Sequence, residues 1–177
     1  MFLLEKTSKS RKTCPSRFKN LNENSNENNI SCYLINTKPE NWSNAKKKCE
    51  SRNAHLISID TFKEKNYVLE YLLAFHYRFS TNSRDVDSTD VRYEYWTSGS
   101  DMTQEGRWIW DRNGRNIVGD AGWLRLRKPE SDTENCLSWR LTLITGGSGS
   151  EIYSQVKEGW VSSWCLKEFP YICELNL

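Results

Sequence analysis

Asn41-Trp42-Ser43-Asn44-Ala45-Lys46-Lys47-Lys48-Cys49-Glu50-Ser51-Arg52 and, two residues on, His55-Leu56-Ile57-Ser58-Ile59 form the stretch whose reading decides the fold. Trp42, Ala45 and Cys49 stand at i, i+3 and i+7, which lays one apolar stripe along a helix predicted over 41–52. His55 to Ile59 reads as a short apolar strand. Working outward, Thr61-Phe62-Lys63-Glu64 is a capping-box signal for a second helix over about 61–77, rich in Tyr, Leu and Phe. Upstream, Cys32 to Asn36 reads as a short buried strand. Residues 19–29 are Asn/Glu-rich and low in complexity, and read as a surface loop. Downstream, residues 79–92 read as a polar loop. Strands are expected at 95–97, 107–110, 136–139 and 171–173, with a turn at Asp111-Arg112-Asn113-Gly114. The glycine-rich 146–150 lacks the Lys-Ser/Thr ending of a phosphate-binding loop. The order is a strand, two helices, then a long half of strands and loops with no internal repeat, which is an α+β plan.

The chain has 177 residues, suited to one domain: a lead-in over 1–13 and a folded unit over 14–177. Its 8 Trp, 8 Tyr and 6 Phe point to a core or a binding face built from large flat side chains. The net charge of +2, from 25 basic and 23 acidic residues, argues against a nucleic-acid partner. The Lys46-Lys47-Lys48 run reads as a solvated helix face. Six cysteines, none in a C-x-x-C pair, disfavour zinc ribbons and redox motifs and read as a disulfide framework. Such a framework belongs in an oxidising compartment, so the chain is expected to be secreted or extracellular. Sequons at Asn29 and Asn41 agree with that placement. Phe2, Leu3 and Leu4 are followed at once by Glu5 and Lys6, so no signal-peptide core is read there and the chain reads as mature or truncated. No apolar run approaches about 18 residues, so no membrane insertion is expected. An enzyme is not expected either. His55 lies in the apolar strand and His76 on a helix among aromatics, no nucleophile–base motif is present, and the cysteines are committed to the framework.

Cysteine spacing alone leaves many pairings open; the flanking residues go further. Cys14-Pro15 with Ser31-Cys32-Tyr33, the Trp42/Ala45/Cys49 helix, Ala54-His55-Leu56-Ile57-Ser58-Ile59 and Tyr95-Trp96-Thr97-Ser98-Gly99 form one half of a pattern. Gly106-Arg107-Trp108-Ile109-Trp110, Glu134-Asn135-Cys136, Trp160 with Cys165, and Tyr171-Ile172-Cys173-Glu174 form the other. Together, over about 14–175, they resemble a C-type lectin-like domain of the long form, in wording nearest to insect and other invertebrate members. The resemblance implies two helices packed on small antiparallel sheets with a long loop region, and the pairs Cys14–Cys32, Cys49–Cys173 and Cys136–Cys165.

The family's sugar-binding members hold calcium through an E-P-N or Q-P-D triplet, a Glu before the fourth framework cysteine and an Asn-Asp pair after a tryptophan. Here Lys128-Pro129-Glu130 stands in place of the triplet, and Lys128 offers an ammonium where an oxygen is needed. Trp160-Val161-Ser162 stands in place of the tryptophan and its pair, and Val161 has no ligating side chain. Glu130 and Glu134 are the residual candidates, with Asp120 and Asp132 nearby, so no cofactor is expected and calcium at this site is disfavoured. The plainer reading makes Glu130, Asp132 and Glu134 a solvated acidic loop. The resemblance also allows a cis bond at Pro129.

Trp123, Arg125, Arg127 and Lys128 set an aromatic beside three cations, which suits a calcium-free site for an anionic glycan. The alternative is that Trp123 is core and the cations are solvated. Trp108 and Trp110 share a strand face and read as core, while Trp139 and Trp164 are left unassigned. The candidate ligand residues are Trp123, Arg125, Lys128, Glu130, Glu134 and Trp160. Residues 79–92 and 140–159 enlarge the loop half, where binding surfaces concentrate. The expected function is an extracellular recognition module for carbohydrate or surface glycan, with weak or absent calcium dependence. The alternative is a module for a cell-surface protein that binds neither sugar nor calcium.

Overall fold

A computed structural model of the chain describes residues 12–21, 30–80, 90–117, 122–124, 133–146 and 153–177. The elements run β1 (Lys19–Asn20), β2 (Ser31–Glu40), α1 (Trp42–Glu50), β3 (His55–Leu56), α2 (Phe62–Ser80), β4 (Asp90–Ser100), β5 (Ile109–Trp110), β6 (Cys136–Gly146), β7 (Tyr153–Ser163) and β8 (Phe169–Asn176). The plan is α+β. The strands form one sheet in the order β1-β2-β8-β4-β6-β7, with β3 on β8 and β5 on β4. A single parallel register pair, Trp96 with Tyr171, joins the terminal strands to the β4–β6–β7 half. The small sheets implied by the resemblance are therefore continuous.

Both helices start where their capping residues place them. Asn41 Oδ1 accepts from the Asn44 amide at 2.9 Å, so α1 begins at Trp42. Its stripe of Trp42, Ala45 and Cys49 is buried. Thr61 Oγ1 accepts from the Glu64 amide at 3.1 Å, while Glu64 Oε2 reaches back to the Asp60 amide at 3.0 Å. That is a capping box stretched by one residue, and α2 runs to Ser80 rather than stopping near 77.

The strands are longer than the sequence suggested. β2 continues past Asn36 because it pairs with β8 from Ser31↔Asn176 to Glu40↔Phe169. Residues 90–92, expected in a loop, pair with 142–144 of β6, and residues 79–80 are helical; 81–89 lie outside the described residues. Most of the 140–159 segment is likewise sheet, because β6 and β7 pair continuously from Cys136↔Ser163 to Gly146↔Tyr153. β5 is shorter than expected and holds only Ile109 and Trp110.

Two buried clusters fill the interior. One gathers Trp108, Trp110, Trp123, Trp139 and Trp160 with Leu72, Val68 and Ile172 beneath α2. Its rings meet edge-on or tilted, with centroids 5.2 Å apart for Trp108–Trp123 and 5.6 Å for Trp110–Trp160. The other packs Trp42 and Trp96 around the cystines. Their indole N–H groups find carbonyls: Trp42 donates to Thr97 O and Trp96 to Glu40 O, each at 2.8 Å. The disulfides are Cys14–Cys32, Cys49–Cys173 and Cys136–Cys165, as the resemblance implied.

The segment 122–124 lies against β7 through Trp160 N–H to Gly122 O and Leu124 N–H to Trp160 O. A Cβ on Gly159 would stand 2.6 Å from Gly122 O and 2.9 Å from Leu124 Cγ. Gly159→Ala therefore has to push this segment, and Trp123 with it, off the sheet. Overpacking of this kind costs about 1–3 kcal/mol. A chemical-denaturation midpoint unchanged from wild type would contradict the contact.

Candidate functional site

The end of the β6–β7 hairpin positions the residues that the sequence marks for ligand binding. Cys136 faces Ser163 and Leu137 faces Ser162, so Glu134 and Asn135 enter the sheet where β7 leaves it. The Ser162 hydroxyl donates to Glu134 Oε2 at 3.0 Å, and Ser162 is 6% exposed. Val161 sits in the ladder opposite Ser138, and its carbonyl accepts the Ser138 hydroxyl at 3.1 Å. From the neighbouring β4, Glu94 receives the Ser138 and Ser163 hydroxyls at 2.5 and 3.2 Å and Arg140 Nε at 3.0 Å. The polar groups of this hairpin are thus largely satisfied by one another.

Trp123 and Trp160 are placed in the core, 7% and 5% exposed. Trp160 packs against Trp110 and Trp139, and Lys65 Nζ lies 5.7 Å from its ring centroid. Lys65 also pairs with Glu158 at 2.7 Å, and the same carboxylate accepts Trp139 Nε1 at 2.8 Å. Neither Trp123 nor Trp160 turns a ring face to solvent, which corrects the stacking role expected of Trp123 and the ligand role expected of Trp160. The physical reason is register: Trp139↔Trp160 pairs within β6–β7, and Trp123 bridges to Trp160 from the other side. Arg125, Arg127, Lys128, Pro129, Glu130, Asp120 and Asp132 lie outside the described residues, as does Asn29.

A calcium ion needs about six to eight oxygen ligands. Among the described residues Val161 supplies no side-chain oxygen, and Ser162 is spent on Glu134. Nearby, Asp101 N–H reaches Asn135 O at 3.3 Å, and Asp101 Oδ2 accepts from the Gly106 amide at 3.0 Å. Asp101 Oδ1 and Asn135 Oδ1 are buried with no donor. Burial pushes the Asp101 carboxyl above its usual range. Two bare oxygens are too few for a calcium shell. Among the described residues no group of three or more His, Cys, Asp or Glu could hold a metal ion. The described donor set does not fit calcium.

The histidines are placed as structural groups. His76 is 7% exposed, stacks on Tyr93 at 3.3 Å and lies 2.6 Å from the Tyr95 hydroxyl through Nε2. Burial pushes its pKa down to about 4, so the ring is neutral at neutral pH and shares a hydrogen bond with that hydroxyl. His55 is half-buried on β3, with Nε2 3.1 Å from Asn176 Oδ1. No cysteine is free. No helix among the described residues is long and apolar enough to cross a membrane.

Sequence reasoning left Trp164 unassigned. It is 54% exposed, and its neighbour Leu166 is 64% exposed. Ser162 and Ser163 are both buried and β7 ends at Ser163, so no strand periodicity could have placed the next residue.

The family model for the lectin C-type domain matches residues 38–175. A perlucin-like protein of Mytilus galloprovincialis is 24% identical over 123 residues, covering 70% of this chain and 65% of its own length. The chain thus spans less than two thirds of that curated relative. Among solved structures, the mouse scavenger receptor C-type lectin carbohydrate-recognition domain superposes with a TM-score of 0.58 at 21% identity, over 92% of this chain and 98% of that one. Herring type II antifreeze protein does so with a TM-score of 0.58 at 22% identity, over 93% and 99%. These structural likenesses establish the fold and no particular ligand.

Proposed function

The chain belongs to the C-type lectin domain family, and from that premise we propose that it is an extracellular recognition module that binds glycans with weak or no dependence on calcium. Lectin-fold relatives are recognition proteins rather than enzymes, and glycans or cell-surface proteins are the partner classes they suggest. The observation that carries the calcium-independent reading is the hydrogen bond from Ser162 to Glu134. It engages, with protein atoms alone, one oxygen of the carboxylate that calcium-dependent members would lend to the ion, and Val161 beside it has no side-chain oxygen to contribute, its carbonyl being taken by Ser138. The three disulfides support an oxidising, extracellular setting.

Two measurements test the reading. On a glycan array the protein binds a subset of glycans, and EDTA leaves the signal within about twofold. In a thermal melt, millimolar calcium leaves the midpoint unchanged, because an ion that binds the folded state must raise it by mass action. EDTA-sensitive capture together with a calcium-dependent rise in the midpoint would refute calcium independence. Silence across the array would refute glycan binding and turn the search to a protein partner.

A further inference from the structure

Of the eight tryptophans, seven are 0–7% exposed; Trp164, at 54%, is the exception. One surface tryptophan alone means little. This one has company and a rigid mount. Leu166, two residues on, is 64% exposed. The backbone that carries both is fastened at three points: Cys165 is bonded to Cys136, Cys165 O accepts the Trp42 amide at 3.1 Å, and Trp164 O accepts the Lys167 amide at 2.9 Å. An aromatic held this way loses little backbone freedom when a ligand settles on it, which is the general advantage of a preorganised contact.

The surroundings indicate what would settle there. Trp164 follows Ser163, which faces Cys136, so it leaves the sheet beside the point where Glu134 and Asn135 enter. The exposed apolar area at this turn is one indole and one isobutyl group, rimmed by the exposed Lys167 and Glu168. A specific protein interface covers about 800 Å² per partner around a contiguous apolar centre, and two side chains fall short of that. A single pyranose ring matches an indole in size. It presents C–H groups on one face and hydroxyls around its edge, so it asks for an aromatic plate with a polar rim. We propose that Trp164 is the stacking platform of a glycan subsite, with Leu166 beside it, and that the ligand is a neutral pyranose sugar. This rests on the glycan-binding reading above and locates it on the Cys165 turn, away from the buried Trp123 and Trp160.

The test uses the full chain. N-bromosuccinimide is expected to oxidise one indole equivalent rapidly, because the others are buried, and the best array glycan is expected to protect it. Trp164→Ala is expected to weaken capture of that glycan by roughly 30-fold or more, as a central aromatic contact does. Trp164→Phe should retain most of the binding, and both variants should melt within a few degrees of wild type. The oxidation experiment needs no variant, so the proposal stays open to refutation even if Trp164→Ala misfolds. Wild-type affinity in Trp164→Ala, or unprotected oxidation at saturating glycan, overturns the subsite while leaving glycan recognition standing. A wild-type protein silent on every glycan overturns both.

Discussion

Replacing Cys49 with Ser is expected to leave a chain that does not reach a folded, protease-resistant state. Cys49 ends the buried stripe of α1, and Cys173 lies on β8, the strand between β2 and β4. Both are fully buried. Their bond closes a loop with a sequence separation of 124. In the chain-entropy model a loop of that order restrains the unfolded chain by about 4–5 kcal/mol. The whole stability of a domain of this size is about 5–15 kcal/mol. The variant also leaves a serine hydroxyl and a lone thiol among Ala45, Leu56 and Trp96, where an unpaired polar group adds a further penalty. Cys14→Ser should be milder. That bond spans a separation of 18, its Cys14 end is half-buried, and β1 is only the two-residue edge of the sheet. Secretion yield and limited proteolysis rank the two. Wild-type yield of protease-resistant Cys49→Ser, or a Cys14→Ser protein that fares worse, would break the argument.

The same cystines explain how much of the fold could be read beforehand. Their pairing is invisible to spacing and was legible only as what the resemblance carried by the flanking residues implies; in the structure Trp42, Ala45 and Cys49 bury together against Tyr171 and Cys173. Trp108 and Trp110 read as core because a short strand displays its parity openly, and both are buried. What escaped were features decided by distant partners. Arg140-Leu141-Thr142-Leu143 and Asp90-Val91-Arg92 alternate weakly and sit beside polar tracts. They are strands because they pair with each other, and the 140–143 segment pairs on its other side with β7. The candidate site was less legible still. Whether Trp123, Trp160 or Trp164 meets solvent depends on the Trp139↔Trp160 register and on where β7 stops. The motif places Trp160 in a binding sequence, and the register turns it inward. Glu134 and Ser162 were legible as an altered calcium site, whereas the hydrogen bond between them required the hairpin that brings them together.

The stability difference between wild type and Glu64→Gln is expected to change by about 2–3 kcal/mol between pH 5 and pH 8, to the detriment of the wild type at the higher pH. Glu64 closes the cap of α2 and accepts the Tyr33 hydroxyl at 2.8 Å through Oε1 and the Asp60 amide through Oε2. Burial first, then the neighbouring Glu174 carboxylate, pushes its pKa from the ordinary 4.5 to about 7. Glu174 is itself 2% exposed and held by Ser31 and Asn176, with His55 Nδ1 and Arg112 Nη1 each 3.9 Å away. Asp60 completes the set and is paired with Arg115 at 3.3 Å. An acid whose folded pKa is raised holds its proton more tightly in the native state. Its contribution is therefore fully present below about pH 4.5 and is lost as pH climbs through 7. His76 works the other way. With its pKa pushed down from 6.5 to about 4, it stabilises above 6.5 and loses that contribution as pH falls through 4. Between about pH 4.5 and 6.5 these two slopes oppose and offset one another, so the wild-type curve should be flatter there than either group alone would make it. Glu64→Gln removes the Glu64 slope and leaves that of His76, so the variant should lose more stability than the wild type on acidification from pH 6.5. Gln also surrenders part of the cap, which offsets its curve by a constant but cannot tilt it. Urea unfolding of both proteins at half-unit steps from pH 5 to 8 reads the tilt directly. Parallel curves would show that Glu64 ionises in the native state as it does in the unfolded chain.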